Sequence, residues 1–159
     1  MLKLFGALLV ILGGTVWGIR KYTFFLSRKN VIYSIYDGLA QVENSLRCTC
    51  APLHECFKTG GDFFNTAAEK IAGGYSPEDA VIESAKAISS LTGEDMNVIR
   101  HFAKGLNADD CKGQVDNLIL FKSGLDKQLT HAANELQSKG KLYIKGSILT
   151  AAAVVLLLL

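Results

Sequence analysis

The stretch Leu46-Arg-Cys-Thr-Cys-Ala-Pro-Leu-His-Glu-Cys56 gathers three of the chain's four cysteines and one of its three histidines into eleven residues. Thiolates and imidazoles bind zinc and carry redox chemistry, so their spacing decides what this cluster can do. A structural zinc site takes four ligands, usually two pairs spaced C-x2–4-C. Here Cys48 and Cys50 are one residue apart, Cys56 follows six later, and His54 lies at the start of a short helix with little room to converge on one ion. Cys111 and His101 are distant single residues rather than a second pair. The redox spacing C-x-x-C is absent. His54-Glu-Cys-Phe-Lys58 has Lys58 where a zincin helix needs its second histidine. A disulfide does not suit a reducing cytosol.

The cluster therefore reads as a corner between helices. Pro52 is expected at the first helical position, Leu53 packs, and Glu55 complements the N-terminal dipole. Cys48, Cys56 and Cys111 are expected as small apolar core residues. The alternative is a membrane-tethered metal or thiol sensor built on Cys48, Cys50, His54 and Cys56.

Other chemistry-bearing residues read in the same way. Asp109-Asp110 precede a long helix, where capping is the ordinary role, and Gln114 closes that second corner. His101 and His131 fall on separate helices without a companion nucleophile. No phosphate-binding glycine motif is present. The expectation is a chain that is not an enzyme, with no cofactor and no metal.

Helices must position these corners. Ile32, Ile35, Leu39, Val42 and Leu46 step by three and four, one apolar seam on a helix over about 28–47. A short helix follows Pro52 and stops at Gly60-Gly61. Asp62 caps the next, which ends at Gly73-Gly74. Ser76 caps a helix with Pro77 at its first position and Glu78 and Asp79 in its first turn. Thr92 and Asp95 have capping-box spacing, and Gly105 ends that helix. The last helix has the seam Val115, Leu118, Leu125, Leu129, Ala132 and Leu136, and runs on through a lysine-rich stretch. The fold class is all-α, a compact helical bundle.

Two charge-free runs flank the bundle, "LFGALLVILGGTVWGI" between Lys3 and Arg20, and "GSILTAAAVVLLLL" after Lys145. As helices they reach about 21–24 Å at about 1.5 Å per residue, and flanking lysines and arginines extend that reach by snorkelling. The first run lacks a small-residue cleavage site and a polar face, which disfavours a signal peptide and a core helix. The expectation is an N-terminal transmembrane helix over 1–21, a cytoplasmic bundle over 22–141, and a C-terminal transmembrane helix over 142–159. Gly14 and Gly18, four apart, suit close approach of another membrane helix.

Charge is split. Residues 30–138 hold fifteen acidic and nine basic residues, a net charge of −6, although the whole chain is +2. The other eight basic residues are Lys3, Arg20, Lys21, Arg28, Lys29, Lys139, Lys141 and Lys145, all beside the apolar runs. Seven of them lie where the runs meet the body, which by the positive-inside rule is the cytoplasmic side. An acidic body disfavours nucleic acid and suits a domain held against an anionic membrane.

The order of these features resembles the stage III sporulation protein AB family. The resemblance runs from "MLKLFGALLV" through "LAQVENSLRCTCAPLHE" and "FAKGLNADDCKGQ" to "KGKLYIKGSIL". Pro52-Leu53-His54-Glu55 and the stretch from Leu106 to Gln114 carry most of it. Ala80-Val81 stands where the family often has Ala-Trp, and the cysteine cluster is peculiar to this chain. The resemblance implies a membrane subunit of the channel joining mother cell and forespore, located in the mother-cell membrane. Its bundle would be similar to those of type II secretion and type IV pilus platform proteins. The implied role is an adaptor between channel subunits and a sporulation protein AA-like ATPase. A platform subunit of a pilus or secretion system is the neighbouring alternative.

Overall fold

The computed structural model describes residues 2–49, 51–107 and 111–158. They form α1 (Leu2–Thr49), α2 (Leu53–Phe57), α3 (Gly61–Ala72), α4 (Pro77–Lys86), α5 (Gly93–Lys104) and, after a 3-10 turn at Gly105–Asn107, α6 (Cys111–Glu135). One π turn, Leu136–Gly140, separates α6 from α7 (Lys141–Leu158). No strand occurs among the described residues. The chain divides into two units. One contains Met1–Lys29 and His131–Leu159, the other Asn30–Thr130.

The second unit is a helical bundle built on the α1 seam. Ile32, Ile35, Leu39, Val42 and Leu46 are all 1% exposed or less, as their three-four spacing requires. Beside them Gly38 lets the α2–α3 turn come against α1: a methyl group there would land on the Gly60 carbonyl oxygen. Phe57, Phe64 and Ala67 fill the space behind it. The Phe57 and Phe64 rings are tilted with centroids 5.2 Å apart.

Local signals set the helix ends. Ser76 Oγ accepts the Asp79 amide at 3.1 Å with Pro77 behind it. Thr92 and Asp95 form the full capping box, Asp95 Oδ2 accepting the Thr92 amide at 2.8 Å. Gly74 turns the chain at φ +96° after α3, where a side chain would be strained.

Three details differ from expectation. Pro52 lies at the N-cap of α2, one residue before the helix, its carbonyl accepting the Glu55 amide at 2.9 Å. Gly61 adopts φ +78° and opens α3, so Gly60 is the N-cap and Asp62 falls in the first turn. The last helix runs on as expected, but through the π turn, which absorbs one irregular turn between α6 and α7.

Among the described residues no helix is long and apolar enough to cross a membrane. Residues 1–12, 144, 148, 151 and 155–159 of the two expected spans lie outside those whose side chains are described. The all-helical part of the expectation holds; the membrane-spanning part has no support among the described residues.

Candidate anchoring and interaction surfaces

At the cysteine corner, α1 ends at Thr49, whose Oγ donates to the Ser45 carbonyl at 2.8 Å and accepts the Ala51 amide at 3.2 Å. Cys56 is fully buried, its thiol 3.6 Å from the Ala51 carbonyl. Leu53 is buried beside it. Cys48 is exposed, its thiol 3.8 Å from the Asn44 side-chain oxygen. That corrects the core reading of Cys48: two residues past the inward-facing Leu46, a helix has turned about 200°. Glu55 is exposed and bonded to Lys58 at 2.9 Å, with His54 Nε2 3.3 Å away. Its carboxyl pKa is lowered, chiefly by the Lys58 hydrogen bond and charge. Among the described residues no group of three or more His, Cys, Asp or Glu side chains is placed to hold a metal ion. Cys50, Asp109 and Asp110 lie outside the described residues, and Gln114 is half-buried on α6.

In the first unit the early part of α1 pairs with α7. Gly18 is buried, and a methyl group there would collide with the Ser147 side chain. The helix that the Gly14–Gly18 spacing admits is therefore the chain's own α7. Trp17 meets Tyr143 edge-on at 5.7 Å, and Phe25 stacks on Tyr143 at 6.1 Å. On these helices Val16, Trp17, Ile19, Leu142 and Leu149 are each more than half exposed. Arg20, Lys21, Lys141 and Lys145 are exposed on the same helices.

At the other end of this pair, Arg28 is buried and its guanidinium is hydrogen-bonded to Glu135, which also accepts Lys139 at 2.6 Å. Arg28 and Lys139 were legible only as basic collar charges. Their shared partner was not.

In the second unit α5 and α6 close on each other at two small residues. A methyl group on Gly124 would stand 2.8 Å from a Val98 methyl, and one on Gly105 would overlap the Asn117 amide. Asn117 Nδ2 donates to the Phe102 carbonyl at 2.9 Å. Between these contacts Phe102 and Phe121 stack at 4.1 Å, only 5° from parallel, both buried. Above them lies a groove of about 420 Å³ whose walls include Val98, His101 and Leu120. Leu120 is 73% exposed at its lip. The seam read from sequence passed over Phe121, although it stands three residues from Leu118 and four from Leu125.

The model of one protein family, stage III sporulation protein AB, matches residues 3–159. No curated protein and no solved structure matches the chain.

Proposed function

Because the chain belongs to the stage III sporulation protein AB family, we propose that it is a non-enzymatic, membrane-anchored adaptor of the channel joining mother cell and forespore. In this reading the bundle of residues 30–130 faces the cytoplasm and is presented to a partner ATPase. The observation that carries it is the exposed apolar surface of the α1–α7 pair. Val16, Trp17, Ile19, Leu142 and Leu149 are each exposed, on a unit separate from the bundle. An apolar surface of that kind is costly in water and at ease in lipid. The basic residues beside it suit the anionic headgroups of a cytoplasmic leaflet.

Four measurements test the reading. Alkaline carbonate should leave the full-length chain in the membrane pellet, and a membrane-impermeant thiol reagent should label Cys48 only after cells are opened. Tagged full-length protein should then co-purify with the ATPase and show no turnover itself. Release into the carbonate supernatant removes the anchor. An empty pull-down from folded protein removes the adaptor.

The exposure of Cys48 on the helix corner favours one second reading, a thiol sensor using Cys48, Cys50 and Cys56. Replacing all three by serine discriminates the two. The adaptor still captures the ATPase, with some loss of stability from a hydroxyl buried at position 56, whereas a sensor loses its response.

A further inference from the structure

We propose that the α5–α6 groove receives the Tyr75 loop of a second copy of this chain, so that copies associate head to tail. The inference stands on residues 30–130 alone and goes beyond the adaptor reading.

The groove has the character of a socket. Its floor is the Phe102–Phe121 stack, its lip is Leu120, and it is open enough for an aromatic ring. Its rim carries Arg100, Lys104 and Lys127 against Glu94 and Asp116, a cationic excess within a body that holds fourteen acidic and nine basic residues over 30–130. Arg100 is exposed and donates to Asn97 in the groove wall at 3.2 Å. Lys104 follows His101 by three residues on the same face of α5, and Lys127 follows Gly124 by three on α6. The nearby carboxylate Asp116 shares a depression with Arg47 and Lys112. Such a surface selects an occupant with an apolar or aromatic tip and acidic flanks.

The chain carries that combination between α3 and α4. Tyr75 is 52% exposed there, followed at once by the Ser76 cap and by Glu78 and Asp79. The loop is preset. Gly74 holds φ +96°, the Tyr75 amide donates to the Lys70 carbonyl at 3.1 Å, and the Lys70 ammonium lies 5.7 Å from the ring centre. A projecting aromatic fixed in this way loses little entropy on docking, the property of interface anchor residues. Knob and socket share no residue, so each copy offers one of each, and a contact that uses one pair at a time leaves a free knob and a free socket at its ends.

The test uses purified full-length chain in sedimentation equilibrium. Wild type should show species larger than a dimer, growing with concentration. Tyr75→Ala and Leu120→Asp change exposed positions, and each should weaken self-association about thirtyfold, the size expected of an anchor residue. Mixed together, the two variants retain one intact knob and one intact socket and should form a heterodimer that grows no further. The double variant Arg100→Gln/Lys104→Gln should weaken association and diminish its salt dependence, with helix content by circular dichroism unchanged. A wild type monomeric at every concentration overturns the proposal. So do variants that associate like wild type, or a mixture that stays monomeric. Any of these results leaves capture of the ATPase standing as a separate question.

Discussion

The Arg28 guanidinium, its side chain 4% exposed, is paired with the carboxylate of Glu135, 107 residues later in the chain. Lys139 holds the same carboxylate from the solvent side at 2.6 Å. The pair fixes the register between the early part of α1 and the start of the π turn. An apolar and less directional contact lies nearby, where Gly140 stands against the Tyr22 ring and the Leu136 side chain.

Removing the carboxylate should cost more than removing either cation. Glu135→Ala leaves a buried guanidinium without this counter-charge, at a cost of about 3 kcal/mol. Arg28→Met replaces the cation by an apolar side chain of similar length and should cost less, since a buried pair can give way to packing. Lys139→Ala removes an exposed partner and should cost under about 1 kcal/mol. Chemical denaturation of the three variants orders them. Equal losses in all three would mean that the register is set elsewhere.

Two exposed pairs predict opposite pH behaviour. The Lys58 hydrogen bond and charge lower the Glu55 pKa from its ordinary 4.5. The contribution of that group is present above 4.5 and is lost as pH falls through the folded value. Glu135 raises the Lys139 pKa from its ordinary 10.5. That contribution is present below 10.5 and is lost as pH rises through the folded value. Carboxyl and ammonium NMR titrations should show the Glu55 value rising in Lys58→Ala and the Lys139 value falling in Glu135→Gln. Unmoved titrations would show that neither pair forms in solution.

Glycines at two positions should respond with opposite signs. Gly38→Ala puts a methyl group onto the Gly60 backbone, which cannot swing aside as a flexible side chain would. The expected loss lies at the upper end of the roughly 1–3 kcal/mol range for overpacking, several degrees in melting temperature at about 2–4 °C per kcal/mol. Gly93 begins α5 with nothing within 4 Å of an added methyl group. Gly93→Ala should raise stability by about 0.5 kcal/mol through reduced unfolded-state freedom. Thermal melts of both variants read the difference.

The parts of the fold legible in the sequence are those written in local spacing. The α1 seam, the Ser76 cap, the Thr92–Asp95 capping box and the Gly105 end each need only a few neighbouring residues, and each is where the spacing puts it. Glycine spacing marked a close approach at Gly18 but not that Ser147 of the same chain makes it. Arg28 and Glu135 have nothing near them in sequence that announces their pairing, because the contact exists only once the chain has returned on itself. Cys48 illustrates a different limit. Its residue type favours burial, and the helical phase set by Leu46 overrides that preference. Phe121 was available from its spacing to Leu118 and Leu125, and its ring turns an apolar seam into the floor of a groove.

That floor supplies a prediction of its own. Aromatic pairs favour offset or edge-on geometry, with centroids about 4.5–7 Å apart, whereas Phe102 and Phe121 lie nearly parallel at 4.1 Å. Their coupling should therefore sit at the low end of the usual range, about 0.5 kcal/mol, even though each is almost fully buried. Phe102→Ala and Phe121→Ala should each cost about 3–5 kcal/mol through lost burial and the cavity left behind. Phe102→Leu and Phe121→Leu keep most of that volume, so a double-mutant cycle through the leucine variants isolates the ring-to-ring term. A coupling well above 1 kcal/mol would mean that the stack is an energetic keystone of the α5–α6 pair. A coupling near 0.5 kcal/mol assigns the closeness of these helices to Gly105 and Gly124, and predicts that Gly124→Ala, which drives a methyl group against Val98, separates them more effectively than loss of either ring.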